Sequence, residues 1–159
     1  MQKAEGVERP VAVVIVRSGS EFRVGRDLLD ALYPHDPKVR VSILRGALAL
    51  YTELRPEELR TLLSRYPIRG LLKIRILEEV VCSHDTTSAV EALLEELAAK
   101  GLKLSHIEVR TRGTVARRRA SSIVLEAARR LGVLSRSGVK GRIEFLGDCI
   151  GFYRLSSSC

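Results

Sequence analysis

Three consecutive arginines, Arg117, Arg118 and Arg119, stand just before Ser121-Ser122 in the stretch 107–131. Either serine is a suitable N-cap, so the pattern predicts a helix over 121–131 with Ile123, Ala127 and Leu131 as its buried stripe. Arginine is misplaced beside a helix N-terminus, which already carries partial positive charge and unsatisfied N–H groups. A bound anion relieves that conflict, and phosphate is the obvious one. The alternative is a solvated loop, since such dipole effects are worth only roughly 0.3–1 kcal/mol at an exposed site. Arg110 and Arg112 end an alternating strand on the side opposite Ile107 and Val109. Lys140 and Arg142 join them if the last hairpin pairs beside that strand. Guanidinium groups fork onto phosphate oxygens or stack on bases, and several cations on one surface displace counterions together.

Other chemistry is poorly supported. Cys82-x-His84 offers one loose pair of metal ligands where structural zinc wants four, and a buried or linker cysteine is the simpler reading. Cys82, His84 and Asp85 are too close in sequence for a nucleophile constellation, whose groups normally arrive from separate segments. There is no GxxxxGK[ST], no GxGxxG after a strand, and no convergent carboxylate pair for acid–base work. Lys73 and Arg75 form the outer half of an alternating strand, which ordinarily solvates a sheet face or blunts an edge.

The charge distribution says more than its total. Residues 101–159 hold twelve Lys/Arg against four Asp/Glu, the whole of the net +8, while residues 1–100 balance at fifteen of each. Localised basicity of this kind is the footprint of a polyanion partner. Aromatic content is 4% with no Trp, which favours recognition of a polyanion's backbone over base stacking. No apolar run approaches the roughly 20 residues needed to span a bilayer, and the first ten residues lack a signal-peptide core. Three cysteines without a CxxC argue against a disulfide framework, so a cytoplasmic protein is expected.

The elements that must position these groups follow in order. Residues 10–17 are a β-branched run suited to a central strand. Ser20 can cap a helix to Leu32 with Phe22, Leu28, Leu29 and Leu32 inside. Residues 33–37 form a turn, and 38–44 alternate, with Val39, Val41 and Ile43 on one side. Gly46 permits a hairpin into 47–52. Pro56, Glu57 and Glu58 open a helix whose stripe is Leu59, Leu62, Leu63 and Tyr66. Residues 70–77 make a further strand with Leu72, Ile74 and Ile76 inside. Residues 10–78 thus read β-α-β-β-α-β, a ferredoxin-like unit in an α+β chain. A second unit, 84–156, reads α-β-α-β-β. It opens with a helix whose capping box is Ser88–Glu91 and whose stripe is Val90, Leu93, Leu94, Leu97 and Ala98. It closes on a hairpin at Gly147-Asp148.

This architecture resembles the THUMP family of RNA-binding proteins. The residues that carry the resemblance are Arg110-Thr111-Arg112-Gly113, Ser121-Ser122-Ile123 and the run Val139-Lys140-Gly141-Arg142-Ile143-Glu144-Phe145-Leu146-Gly147-Asp148. Lys73–Leu77 with Val80-Val81 looks like the junction between the two units. The resemblance implies a tRNA-binding unit of about residues 10–155, with no cofactor or metal and no catalysis of its own. The chain ends where a catalytic domain would begin, which implies the stand-alone type that presents tRNA to an N4-acetylcytidine acetyltransferase. Arg110, Arg112, Arg117, Arg118, Arg119, Lys140 and Arg142 are the expected RNA contacts. Two other classes compete: a small RNA-modifying enzyme with an unrecognised active site, and a protein-interaction module whose basic face meets an acidic partner.

Overall fold

In a computed structural model describing residues 8–113 and 115–155, the β-branched run after Pro10 becomes β1 (Ala12–Val16). A strand so apolar belongs inside a sheet. After α1 (Glu21–Leu32) come β2 (Arg40–Leu44), β3 (Ala47–Tyr51), α2 (Pro56–Arg65) and β4 (Leu71–Ile76). The sheet order is β2-β3-β1-β4, antiparallel throughout. This is the ferredoxin-like arrangement. Val24, Leu28 and Leu32 of α1 and Leu59 and Leu62 of α2 pack with Ala12, Val14, Val16, Leu48 and Leu50 in its core. Asp36, buried after α1, accepts from Thr52 Oγ1 at 2.5 Å and from the backbone N–H groups of Glu53 at 3.0 Å and Lys38 at 3.1 Å. These bonds tie the expected turn to the end of β3.

Several side chains lie where periodicity does not put them. Phe22 is 81% exposed, because the stripe of α1 runs through Val24, Gly25, Leu28 and Leu32. Ser20 holds the N-cap position of α1 without a side-chain capping bond. Tyr66 is exposed at the C-cap of α2. Leu72 is exposed because the β1–β4 register shifts between Ile15 and Val16, whose partners are Lys73 and Leu71. Leu72 is the extra residue of that bulge and drops out of the alternation.

The second unit begins earlier than residue 84. Leu77 and everything after it cluster apart from the first 76 residues, and β5 (Glu79–Cys82) occupies what the sequence reads as a junction. Then come α3 (Thr86–Ala99), β6 (Leu104–Thr111), α4 (Arg117–Arg130), β7 (Val139–Leu146) and β8 (Cys149–Arg154), with sheet order β5-β8-β7-β6. Strands β6 and β7 are parallel, joined by α4 as their crossover, and the other pairs are antiparallel. Val90, Leu93, Leu94 and Leu97 of α3 meet Ile107, Val109, Ile143, Phe145, Ile150 and Phe152 of the sheet in one core. Gly141 makes room for it: a Cβ there would collide with the Phe152 ring.

Both helices of this unit start before the expected serines. Asp85 caps α3 by accepting the N–H groups of Thr87 and Ser88, while the Ser88 hydroxyl donates to Asp85 at 2.8 Å. Helix α4 begins at Arg117, four residues ahead of Ser121, and buries Ala120, Val124, Ala127 and Ala128. Arginine and alanine are better helix formers than serine, so 117–120 extend the helix instead of preceding it.

The cysteines also depart from expectation. Cys82 and Cys149 face each other in the β5–β8 register and are joined by a disulfide. Strand pairing brings them together across 67 residues, a distance at which sequence spacing carries no signal. Cysteine usage therefore does not point to a reducing compartment. Among the described residues no helix is long and apolar enough to cross a membrane. Of the three cysteines, Cys159 lies outside the described residues. Denatured, unreduced protein should accordingly titrate one thiol with a chromogenic disulfide reagent, and three after reduction. Closing a loop of this length stabilises a fold by roughly 2–4 kcal/mol, so reductant should lower the melting temperature; three free thiols before reduction would refute the bridge.

Candidate nucleic-acid interface

The parallel pairing of β6 and β7 sets Glu108 beside Arg142 and Arg110 beside Glu144. Ile107, Val109, Ile143 and Phe145 turn into the core, so these four charged residues share the opposite face of the sheet. The last hairpin does pair beside the Ile107 strand, as the sequence suggests. Its cations, however, meet carboxylates before they meet anything else.

Glu144 is at the centre and has no solvent exposure. Its Oε1 accepts from Arg112 Nε at 3.0 Å and its Oε2 from Arg112 Nη2 at 3.2 Å, a fork that leaves the Arg112 side chain only 9% exposed. Oε2 also accepts the Tyr153 hydroxyl at 2.9 Å. That hydroxyl in turn accepts from Arg142 Nη1 at 2.8 Å, and Arg142 Nη2 reaches Glu108 Oε1 at 2.9 Å. Arg110 contacts the same Glu108 oxygen at 3.3 Å from an exposed position. The result is a continuous polar chain, Glu108–Arg142–Tyr153–Glu144–Arg112. Burial pushes the Tyr153 phenol up to about 12, reinforced by the negative charge of Glu144.

The expected contacts therefore divide. Arg112 and Arg142 are structural cations held by internal carboxylates, and Arg110 is partly so. Lys140 is exposed but sits opposite His106, four register positions from Glu144, at the other end of the strand pair. That is about 13 Å from the Arg110 end at the usual rise per residue. Arg117, Arg118 and Arg119 are all exposed and, among the described residues, make no ion pair. They form the first turn of α4, and its N-cap, Ala116, has no side chain able to bond the free N–H groups. Arg112, at the end of β6, is only five residues before this turn in the sequence. Lys73 is exposed, and Arg75 is half-buried.

The carboxylates were the residues missed. Their signal lay in complementary alternation, Glu-x-Arg-x-Arg along 108–112 against Arg-x-Glu along 142–144, which is readable only once the register is known. With its sulfur in a disulfide, Cys82 is neither nucleophile nor metal ligand. Beside the arginine turn, no aromatic side chain of this unit stands among the large exposed hydrophobics described, since Phe145, Phe152 and Tyr153 are all buried.

No family model and no curated protein matches the sequence. Solved structures do share the fold. TrmN from Thermus thermophilus superposes with a TM-score of 0.50 at 17% identity, over 90% of this chain and 44% of that one. PH1313 from Pyrococcus horikoshii Ot3 gives 0.53 at 15% identity, over 92% and 54%. The fold is THUMP-like. The chain spans about half the length of either protein, and at these identities the likeness is one of architecture alone.

The polar chain has a pH signature. A phenol whose pKa is about 12 in the folded protein and about 10 in the unfolded chain keeps its proton longer when folded. Its contribution to stability is therefore intact below pH 10 and is lost as pH rises towards 12. Chemical denaturation should show that decline, and Tyr153→Phe should remove its part of it. Glu144→Ala should be far more damaging, by roughly 3–5 kcal/mol, because it strands a buried guanidinium. A Glu144→Ala protein as stable as the parent would refute the central place given to this carboxylate.

Proposed function

We propose that this chain is an RNA-binding module that seats a tRNA backbone on the first turn of α4 and performs no chemistry itself. In this reading it presents the tRNA to a separate modification enzyme, an N4-acetylcytidine acetyltransferase. The supporting observation is the contrast among the arginines. Where neighbouring cations are neutralised internally, Arg117, Arg118 and Arg119 are exposed and make no ion pair among the described residues, on a helix end that is already positive. Phosphate oxygens supply both charge and acceptors to such a turn.

The clamp on Arg112 supports the same reading. It fixes the end of β6, and the three guanidinium groups belong to the first turn of a helix rather than to a free loop. Backbone recognition fits the absence of exposed aromatic side chains around them. The THUMP-like fold, shared with about half of TrmN and of PH1313, suits a binding unit that works beside another domain or protein.

Reversing the charge of Arg117, Arg118 and Arg119 together should weaken tRNA binding strongly at low salt. It should also reduce the slope of log K against log salt by about 2–3, near one unit per phosphate contact. Filter binding across a salt series checks this, and an unchanged slope removes the turn from the interface. Pure protein incubated with tRNA and acetyl donor should yield no modified nucleoside by mass spectrometry until an acetyltransferase is added. A modified base from the protein alone would refute the adaptor role.

A further inference from the structure

Residues 1–100 balance basic against acidic side chains only because residues 77–100 carry six carboxylates and one lysine; residues 1–76 carry fourteen Lys/Arg against nine Asp/Glu. Val16 N donates to Gly46 O at 3.1 Å and Arg17 N to Gly70 O at 2.9 Å. The β1–α1, β2–β3 and α2–β4 connections therefore meet at one end of the sheet, each bringing an exposed arginine: Arg17, Arg45 and Arg69. Arg23 of α1 lies across the same place, its Nη2 2.8 Å from where a Cβ on Gly70 would be. The other end is mixed: Asp36 holds the Glu53 N–H and Glu57 and Glu58 border a depression with His35, while Arg55 pairs with Glu58 and Arg40 lies over the Tyr51 ring.

At the basic end the acidic groups are engaged locally. Glu21 Oε1 accepts the Gly19 N–H, and Asp27 pairs with Arg23 at 3.5 Å. Arg17, Arg26 and Arg69 make no ion pair among the described residues. At the start of α1 stands Phe22, the most exposed large hydrophobic described, lining a shallow depression with Arg23 and Arg26. A bare aromatic ring flanked by free guanidinium groups matches the two parts of an unpaired nucleotide: a π-face for the base and cations for the phosphate.

We propose that the α1 end of the ferredoxin-like unit is a second RNA contact, specific for single-stranded nucleotides, in which Phe22 stacks a base and Arg17, Arg26 and Arg69 hold the adjoining phosphates. It rests on the reading of the chain as an RNA-binding module and adds a chemistry that the α4 turn lacks. The α4 turn grips backbone charge without an aromatic surface, whereas this end recognises an exposed base.

The chain has no tryptophan, so Phe22→Trp installs a single fluorescent reporter at the site. Titration with a short oligouridylate should quench it saturably. Phe22→Ala should raise the Kd for that oligomer about tenfold, the usual scale for one stacked base, and Phe22→Tyr should stay near the parent value. Because Phe22 lies outside the core, these variants keep the fold, which circular dichroism verifies. Quenching that persists when Arg117, Arg118 and Arg119 are reversed supports a site independent of α4. If tRNA binds and depends on those three arginines, while Phe22→Trp is unquenched and Phe22→Ala binds oligouridylate like the parent, this site is overturned and the α4 reading stands. Failure to bind either RNA overturns both.

Discussion

A carboxylate with no access to water organises the second unit. Buried charge is tolerated only when paired and fully hydrogen-bonded, and Glu144 meets that demand with a guanidinium fork and a phenol. Each partner comes from a different place in the chain: Arg112 just after β6, Tyr153 from β8. The requirement therefore fixes both neighbours of β7. It also explains why part of the basic surplus is unavailable for binding. Two of the arginines in the most basic third of the chain are there to keep acidic residues in the sheet.

That division bears on what a sequence discloses. The ferredoxin-like unit was legible because β1, α1, the Gly46 hairpin and the Pro56 helix start each carry strong local signals. The later unit was legible in outline, but its first strand was not, since Glu79–Cys82 is too short to show a period. Phe22 and Leu72 are hydrophobic yet exposed. One lies outside the helical stripe and the other in a bulge created by tertiary register. The start of α4 differs from the serine signal because the residues before Ser121 have enough helix propensity to extend the helix to Arg117.

The candidate site was legible as a composition and illegible as a geometry. Seven cations can be listed, yet which of them face solvent depends on the register of two strands whose paired residues are 34 apart in sequence. Likewise, a net charge of zero over the first hundred residues gives no hint that arginines of three separate connections meet at one end of the first sheet. Three loops bring those arginines together, and no loop is unusual by itself.

The bridge between Cys82 and Cys149 joins the first strand of the second unit to its last. Everything between them, including the clamped carboxylate and the arginine turn of α4, lies inside a covalent ring. Tension applied to the two ends of this unit would run across the sulfur atoms and bypass the ring's contents.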